Sequence, residues 1–212
     1  MFKLVPATLR VQPPGAEAAA HWNASQFKNT FGIEYLSRLT YADLSLPEKL
    51  TRKCRKALKT GWITRQQQWL GAFYKTPLKN ETVPPLTIGW INEEMGYGVF
   101  ADAPLAKEAF VGAYTGMVRR RWPFDLSDSS YCFQYPALSW LGCQYKIDAS
   151  HQGNYTRFIN HSDMPNCEAF SVFDGELMHI ILRAIRAIPS GAQLTMDYGP
   201  IYWRHRKKKA EG

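Results

Sequence analysis

The stretch that decides the fold is Ile147–Cys167, which reads IDASHQGNYTRFINHSDMPNC. Phe158 and Ile159 lie in its middle, and polar groups beside such an apolar pair become partly buried and need hydrogen-bond partners. Gly153 and Pro165 shape the backbone around them. This density favours a site for a zwitterionic or amide-bearing ligand. The side chains concerned are Asp148, Asn154, Arg157, Asn160, His161, Ser162, Asp163 and Asn166.

Two further stretches are weak signals on their own. Pro189–Gly199 reads PSGAQLTMDYG and predicts a turn, a short strand and a tyrosine, Tyr198, at the strand end where a site can use its phenol. Gly96-Tyr97-Gly98 predicts a tight turn. It is not a dinucleotide-binding fingerprint, because no third glycine follows to open a helix.

A boundary is predicted at Pro84-Pro85, and the sequence pattern of residues 86–203, which follow it, predicts many short strands. No long helix separates these strands, which favours several small sheets over a parallel α/β sheet. The predicted strands are Leu86–Ile91, Gly98–Ala101, Ala109–Thr115, Tyr131–Tyr135, Tyr145–Asp148, Glu168–Val172, Leu177–Ala184 and Gln193–Met196.

Residues 1–85 predict a mostly helical region. Ser45 and Glu48 have the spacing of a capping box, which predicts the start of a helix that Gly61 ends. An apolar face then repeats every four residues, at Leu46, Leu50, Cys54 and Leu58. A second helix is predicted between residues 62 and 74, with three aromatic residues at roughly helical spacing: Trp62, Trp69 and Phe73.

The net charge of +8 is spread unevenly along the 212 residues. Residues 1–85 carry 13 basic and 5 acidic side chains, residues 86–203 carry 8 and 12, and residues 204–212 carry 5 and 1. Basic ends favour contact with a polyanion such as nucleic acid, although solvated helix faces explain the same charge equally well. A composition of 45% hydrophobic and 21% charged residues is globular and excludes collagen-like and coiled-coil chains.

The sequence contains no apolar run near the roughly 18 residues of a membrane span, and its first residues do not resemble a secretory signal. We therefore expect an intracellular protein. The spacing of the cysteines argues against a thiolate zinc site and against a disulfide framework, so each is expected to be a small buried hydrophobe. They are Cys54, Cys132, Cys143 and Cys167.

Four motifs in this order resemble the SET-domain protein lysine methyltransferases. Gly96–Ala101 is similar to the family's first cofactor loop, and Tyr114-Thr115-Gly116 is similar to its second motif. Gly153–Asn166 is similar to the third and most specific motif, and Leu194–Gly199 to the fourth. The resemblance covers residues 86–203, which we expect to be a SET domain between the helical region and a basic tail, residues 204–212.

This resemblance implies a mainly β SET fold, with several small curled sheets and an α-helical N-terminal region added to it. A C-terminal pseudoknot is implied, in which the fourth motif threads beneath a loop beside the third. The resemblance also implies S-adenosylmethionine as cofactor and a target lysine that enters from the opposite face. The implied function is direct in-line methyl transfer to lysines of histones or histone-like basic proteins.

The family's functional residues fall on matching positions of this sequence. Tyr198 and Tyr131 are implied to be catalytic, and Tyr131 borders a lysine channel that Met196 also lines. No metal is expected, because Asp163 replaces a cysteine that binds zinc in many relatives, and Trp203 is expected to close the channel instead. The implied cofactor-binding residues are Met95, Tyr97, Gly98, Arg157, Asn160, His161 and Tyr202.

Two other functions stay open on the sequence alone. One is a SET-fold module that binds peptide or DNA without catalysis, which only Met196 favours in the site region; in an enzyme the same methionine favours di- or trimethylation. The other is nucleic-acid binding through the basic face of residues 52–59 and the tail. The resemblance is greatest to small SET proteins of intracellular bacteria, so the expected location is the bacterial cytoplasm or nucleoid or, for a secreted effector, a host nucleus. The oligomeric state is not predicted.

Overall fold

A computed structural model describes residues 9–121, 131–136, 138–139, 142–200 and 202–203. The predicted basic tail and the side chain of Cys143 lie outside these residues. The helices are α1 (Ala24–Phe31), α2 (Leu46–Lys59), α3 (Arg65–Phe73), α4 (Lys75–Lys79) and a 3-10 helix (Tyr155–Phe158). The strands are β1 (Leu9–Gln12), β2 (Ala20–His21), β3 (Glu34–Tyr35), β4 (Thr40–Tyr41), β5 (Leu86–Asn92), β6 (Gly96–Ala101), β7 (Phe110–Ala113), β8 (Met117–Arg120), β9 (Cys132–Gln134), β10 (Leu138–Ser139), β11 (Gly142–Cys143), β12 (Tyr145–Asp148), β13 (Gln152–Gly153), β14 (Asn160–His161), β15 (Cys167–Phe173), β16 (Met178–Ala184) and β17 (Gln193–Met196).

The strands form one large sheet and three small ones. The large sheet has the order β2-β1-β5-β6-β17-β15-β16-β7, and β14 pairs with β17 outside this path. The small sheets are β4-β8-β12-β9, β10-β11 and β13-β3. All eight strands predicted after residue 85 are confirmed, with bounds that differ by at most two residues. The prediction of a mainly β fold with several small sheets is therefore confirmed.

Strand β17 runs through a loop of the chain. Its Met196 is paired with His161 of β14 and also with Cys167 of β15. Both partner strands run parallel to β17, so residues 162–166 cross from one side of β17 to the other. The backbone N–H of Ser162 donates to the carbonyl of Met196 (3.1 Å) within this crossing. The predicted pseudoknot is present.

Residues 9–85 share sheets and core with the residues that follow. Strands β1, β3 and β4 pair in parallel with β5, β13 and β8, respectively. In α1, Phe31 packs its ring 4.7 Å from Phe158 and 4.9 Å from Tyr97, measured between ring centres. The region contains the predicted helices and, in addition, four short strands. Three of them have partners that are distant in sequence, whereas β2 pairs with the nearby β1.

Helix α2 buries Leu50 and Cys54 as predicted, but its next core residue is Ala57, and Leu58 is 36% exposed. A helix has 3.6 residues per turn, so a strict repeat of four drifts away from the buried face. Cys54 and Cys167 are buried free thiols, as expected, whereas Cys132 is only half-buried. In the described part of the chain, no helix is both long enough and apolar enough to cross a membrane.

The predicted capping box at the start of α2 is wrong. The backbone of Ser45 is helical, and its hydroxyl donates to the Asp43 carboxylate (2.9 Å) instead of accepting from the helix. A capping serine has an extended backbone, whereas the backbone of Ser45 is helical and its own N–H also donates to the Asp43 carboxylate (2.8 Å). A capping box does open α3, where Thr64 and Gln67 bond reciprocally.

Helix α3 packs on β15 through a face that carries Leu70 and Gly71. A Cβ at Gly71 would lie 1.8 Å from the carbonyl oxygen of Phe173, so only glycine allows this close approach. The aromatic residues Trp69 and Phe73 lie on the outer side of the helix instead, and they are 62% and 56% exposed.

Candidate active site

Tyr198 lies directly after β17, where the chain leaves the pseudoknot. Its hydroxyl donates to the backbone carbonyl of Ile159 (3.0 Å), and its backbone N–H donates to Nδ1 of His161 (3.2 Å). Both the side chain and the backbone of Tyr198 are therefore held by the third motif. The hydroxyl points into the protein and not into bulk solvent.

Asn160 lies on β14, opposite Thr195 of β17. Its Nδ2 donates to the backbone carbonyl of Tyr97 on β6 (3.1 Å). The first motif thus contacts the third through Asn160, and the third contacts the fourth through Tyr198. Residues that are up to 100 positions apart in the sequence meet in one place because β17 lies between β6 and β15.

The surroundings of Gly98 test whether this place fits a cofactor. A Cβ at Gly98 would lie 2.7 Å from Nε2 of Gln193 and 3.3 Å from Nδ2 of Asn160. Among the described residues, Nε2 of Gln193 is the buried side-chain nitrogen that lacks a hydrogen-bond partner. A buried donor without an acceptor is costly, so a ligand that accepts its hydrogen bond is favoured. Two amide nitrogens that converge beside Gly98 fit the carboxylate that S-adenosylmethionine carries.

Arg157 contacts the ring of Tyr131. Its Cζ lies 3.9 Å from the centre of the Tyr131 ring, and its Nε donates to the carbonyl of Ala149 (2.8 Å). Burial lowers the pKa of Arg157, and the neighbouring Tyr131 and Tyr114 oppose this shift. The structure brings Arg157 to a residue of the implied catalytic pair. Its implied contact with the amino-acid end of the cofactor stays a prediction.

Tyr114 also holds Tyr131 in position, through the backbone. Its hydroxyl donates to the backbone carbonyl of Tyr131 (2.7 Å), and its ring is 3% exposed. Burial raises the pKa of Tyr114 well above its usual value, so it stays a neutral donor. The sequence indicated Tyr114 only as part of the second motif, because no local pattern relates it to a carbonyl 17 residues away.

Tyr97 and Met95, which are both implied in cofactor binding, have different surroundings. Tyr97 packs its ring among Phe31, Trp90 and Phe158, with centres 4.9 to 6.3 Å apart, and burial raises its pKa. Met95 lies in the turn between β5 and β6 and is 46% exposed. Its implied role in the cofactor pocket stays a prediction.

The last described residues cover the third motif from outside. The Tyr202 ring lies 4.6 Å from the Tyr198 ring, and the Trp203 ring lies 4.9 Å from the His161 ring, between centres. Trp203 therefore lies at the pseudoknot, and its expected closing of the channel stays a prediction. Met196, implied to line that channel, is only 4% exposed and packs in the main core in this conformation.

Asp163, which replaces the zinc-binding cysteine of relatives, lies beside His161. Its carboxylate lies 3.2 Å from Nε2 of His161 and is otherwise exposed. Within the described ranges, no group of three or more His, Cys, Asp or Glu side chains is arranged to hold a metal ion.

Residues 96–199 match the family model of the SET domain. Histone-lysine N-methyltransferase SUV39H1-A of Danio rerio is 35% identical to the chain over 114 residues, which are 49% of this chain and 27% of that protein. The chain thus spans about a quarter of the length of the curated relatives that it matches most strongly.

Two solved structures are similar to the described fold. ATXR5 in complex with histone H3.1 mono-methylated on R26 has a TM-score of 0.60 and covers 84% of this chain and 86% of its own, at 19% identity, which shows a shared fold. Polycomb Repressive Complex 2 of Chaetomium thermophilum, in an autoinhibited conformation bound to S-adenosylmethionine, has a TM-score of 0.51 and 27% identity over 63% of this chain and 17% of that chain. With a matching family model and a pseudoknot that joins its third and fourth motifs, residues 96–199 form a SET domain.

Proposed function

We propose that the chain is an S-adenosylmethionine-dependent protein lysine N-methyltransferase that acts on histones or histone-like basic proteins. The observation that carries the proposal is the position of Tyr198, whose hydroxyl donates to the backbone carbonyl of Ile159 inside the pseudoknot. The side chain of Asn160, the residue after Ile159, donates to the backbone carbonyl of Tyr97. Support also comes from the relatives, which are histone-lysine N-methyltransferases.

The amides of Asn160 and Gln193 and the backbone at Gly98 are the groups that we expect to hold the cofactor. S-adenosylmethionine supplies a methyl group on a positively charged sulfur, which a neutral amine can accept by direct displacement. The buried Nε2 of Gln193 gains an acceptor when a carboxylate binds beside it. Binding therefore removes a cost that the free protein carries.

Tyr198 is suited to orient the incoming amine. Because its proton is donated to the Ile159 carbonyl, the phenol oxygen can only accept hydrogen bonds from a substrate. An acceptor at this position can align an amine N–H and can contact polarised C–H groups. The contribution of the protein is then mainly alignment and exclusion of water.

Arg157 favours the neutral form of the target amine. A lysine in water has a pKa of about 10.4, so it must lose a proton before it can act as a nucleophile. The guanidinium of Arg157 lies against Tyr131, at the implied border of the lysine channel. A fixed cation there disfavours a second cation and lowers the pKa of an incoming lysine.

The finer properties of the enzyme are proposals as well. Met196 stands where relatives have Phe or Tyr, and a thioether does not hold a water as a phenol does, which supports di- or trimethylation. The excess of acidic residues between positions 86 and 203 supports a lysine-rich substrate. We propose residues 86–203 as the catalytic unit. A location in the bacterial cytoplasm or nucleoid, or in a host nucleus, stays a prediction.

Transfer of a tritiated methyl group from S-adenosylmethionine to mixed core histones tests this function. Mass spectrometry of the product then identifies the lysine and the number of methyl groups. We expect transfer to lysine side chains. Cofactor binding without transfer to any histone or basic protein would contradict catalysis and favour the non-catalytic binding module.

A further inference from the structure

A second surface of the molecule has the charge of a polyanion-binding site. Residues 49–80, which cover α3, α4 and all of α2 except its first three residues, contain nine basic side chains and no acidic one. None of these residues belongs to the candidate active site. Lys49 and Arg52 pair with Asp43 and Glu48, which precede this stretch. The excess of positive charge that remains attracts anions over a distance comparable to the Debye length.

The basic side chains of α2 form one stripe. Arg52, Arg55, Lys56 and Lys59 occupy positions i, i+3, i+4 and i+7 and are all exposed. Arg52 pairs with Glu48 (3.9 Å), whereas the other three have no ion pair within the described part of the chain. The stripe extends about 10 Å along the helix.

The outer face of α3 carries aromatic rings beside a cation. Arg65, Trp69 and Phe73 follow one another at intervals of four residues, and each is exposed. The Trp69 and Phe73 rings are stacked, with centres 5.3 Å apart and planes 18° apart. Large exposed aromatic side chains at this density commonly mark an interaction site.

A tight turn at Gly61 follows α2 and leads towards α3. Gly61 has a φ of 76°, which is accessible to glycine, and it reverses the chain after α2. The backbone N–H of Trp62 then donates to the carbonyl of Ala57 (2.9 Å). Trp62 is 50% exposed and lies against the last turn of α2, where the basic stripe ends.

From this charge and these rings we propose that the helical basic surface, formed by α2, α3 and their turn, binds single-stranded nucleic acid. The basic stripe contacts phosphates, and Trp62, Trp69 and Phe73 stack on bases, which is how sequence-tolerant single-strand binders work. Bases in a duplex are not accessible to such rings. An anionic membrane fits less well, because the exposed rings of Trp62, Trp69 and Phe73 are too few for the continuous apolar face that a membrane-surface helix buries in lipid.

Fluorescence anisotropy with a labelled oligonucleotide of about 16 residues tests the proposal. The probes are single-stranded DNA, single-stranded RNA and a DNA duplex, each at about 50 mM and about 200 mM salt. We expect both single strands to bind more tightly than the duplex. The double variant Trp69→Ala, Phe73→Ala should weaken single-strand binding about tenfold, and the triple variant Arg55→Gln, Lys56→Gln, Lys59→Gln should lower the salt slope by about two.

Two exposed positions provide matched controls. Leu44→Ala removes an exposed apolar side chain and Lys28→Gln removes an exposed cation, and neither should change binding. Circular dichroism melting verifies that each variant is folded. Equal binding of duplex and single strand, or unchanged affinity in the double variant, would overturn the proposal. Co-sedimentation with anionic phospholipid vesicles is measured in parallel, and vesicle binding without oligonucleotide binding would overturn it as well. None of these outcomes depends on methyl transfer.

Discussion

Asn166 and Thr195 are joined by two hydrogen bonds that run in opposite directions. The backbone N–H of Asn166 donates to the Thr195 carbonyl (3.2 Å), and the Thr195 N–H donates to Oδ1 of Asn166 (2.8 Å). Nδ2 of Asn166 also donates to the carbonyl of Gln193 (2.8 Å). A single asparagine thus fixes β17 where it passes through the loop of the pseudoknot.

Asn166→Ala should weaken folding and cofactor binding together. The substitution leaves the Thr195 N–H and the Gln193 carbonyl without these partners, and we expect the free energy of unfolding to fall by about 2–4 kcal/mol. Urea denaturation and calorimetric titration with S-adenosylmethionine measure the two effects. Asn80→Ala, at the exposed C-cap of α4, is the control and should change neither. A stable Asn166→Ala variant would contradict this account of the pseudoknot.

Asn160→Ala should separate binding from stability. The described hydrogen bond of its side chain goes to the Tyr97 carbonyl, so we expect folding to lose only about 1 kcal/mol. Cofactor affinity should fall at least about tenfold, because an amide that bonds a charged ligand group contributes more than a neutral hydrogen bond. Isothermal titration calorimetry measures this. An unchanged affinity would remove Asn160 from the site.

Gly98→Ala should impair cofactor binding, because its Cβ meets Gln193 and Ile91 at 2.7 Å. The matched control is Gly89, the direct cross-strand partner of Gly98. A Cβ at Gly89 meets only the side chain of Phe100, at 3.0 Å, which can turn away. We expect affinity to fall on the order of tenfold for Gly98→Ala and to stay within error for Gly89→Ala. Equal losses would show that the sheet, and not the site, is affected.

Much of the strand content was predictable because each strand has its own local apolar pattern. The helical spacing of α2 was also visible. Leu58 was predicted to be buried, but Ala57 is buried instead, because a repeat of four only approximates the 3.6 residues per turn of a helix. Ser45 was misread because Asp43, a competing acceptor, lies outside the capping pattern. Strands as short as β1 carry too few residues for a pattern, and their partners are distant in sequence.

The candidate site was predictable where a motif has a characteristic spacing. Tyr198 and Asn160 follow from the resemblance, and the structure joins both to the third motif. Gln193 received no role from the sequence, because the lack of a partner for its amide is a property of the folded core. The contact of Arg157 with Tyr131 was missed for a similar reason, since stacking between distant residues leaves no local pattern.

Stability should depend on Asp148 at acid pH. Burial opposes its ionisation, but hydrogen bonds from Ser150 and Arg119 outweigh burial and lower its pKa to about 2. The ionised form therefore stabilises the fold above the pKa of an unfolded aspartate, about 3.9, and this stabilisation is lost as the pH falls towards 2.

Asp148→Asn should consequently be less stable than the parent protein at pH 7, by about 1–2 kcal/mol, and the difference should disappear near pH 2. Denaturant titrations across this range measure it. Glu17→Gln removes an exposed carboxylate without a described ion pair and should show no difference at either pH. A pH-independent effect of Asp148→Asn would contradict the role of its ionised form.

The central claim is that the Tyr198 oxygen aligns the amine that receives the methyl group. The direct measurement is the initial rate of tritium transfer from S-adenosylmethionine to core histones by Tyr198→Phe, with calorimetric cofactor affinity and melting temperature recorded in parallel. Tyr41→Phe, a half-buried tyrosine on β4, is the control. The account predicts that Tyr198→Phe folds, binds cofactor and transfers methyl groups on the order of a hundredfold more slowly. A rate equal to that of the parent protein would contradict it.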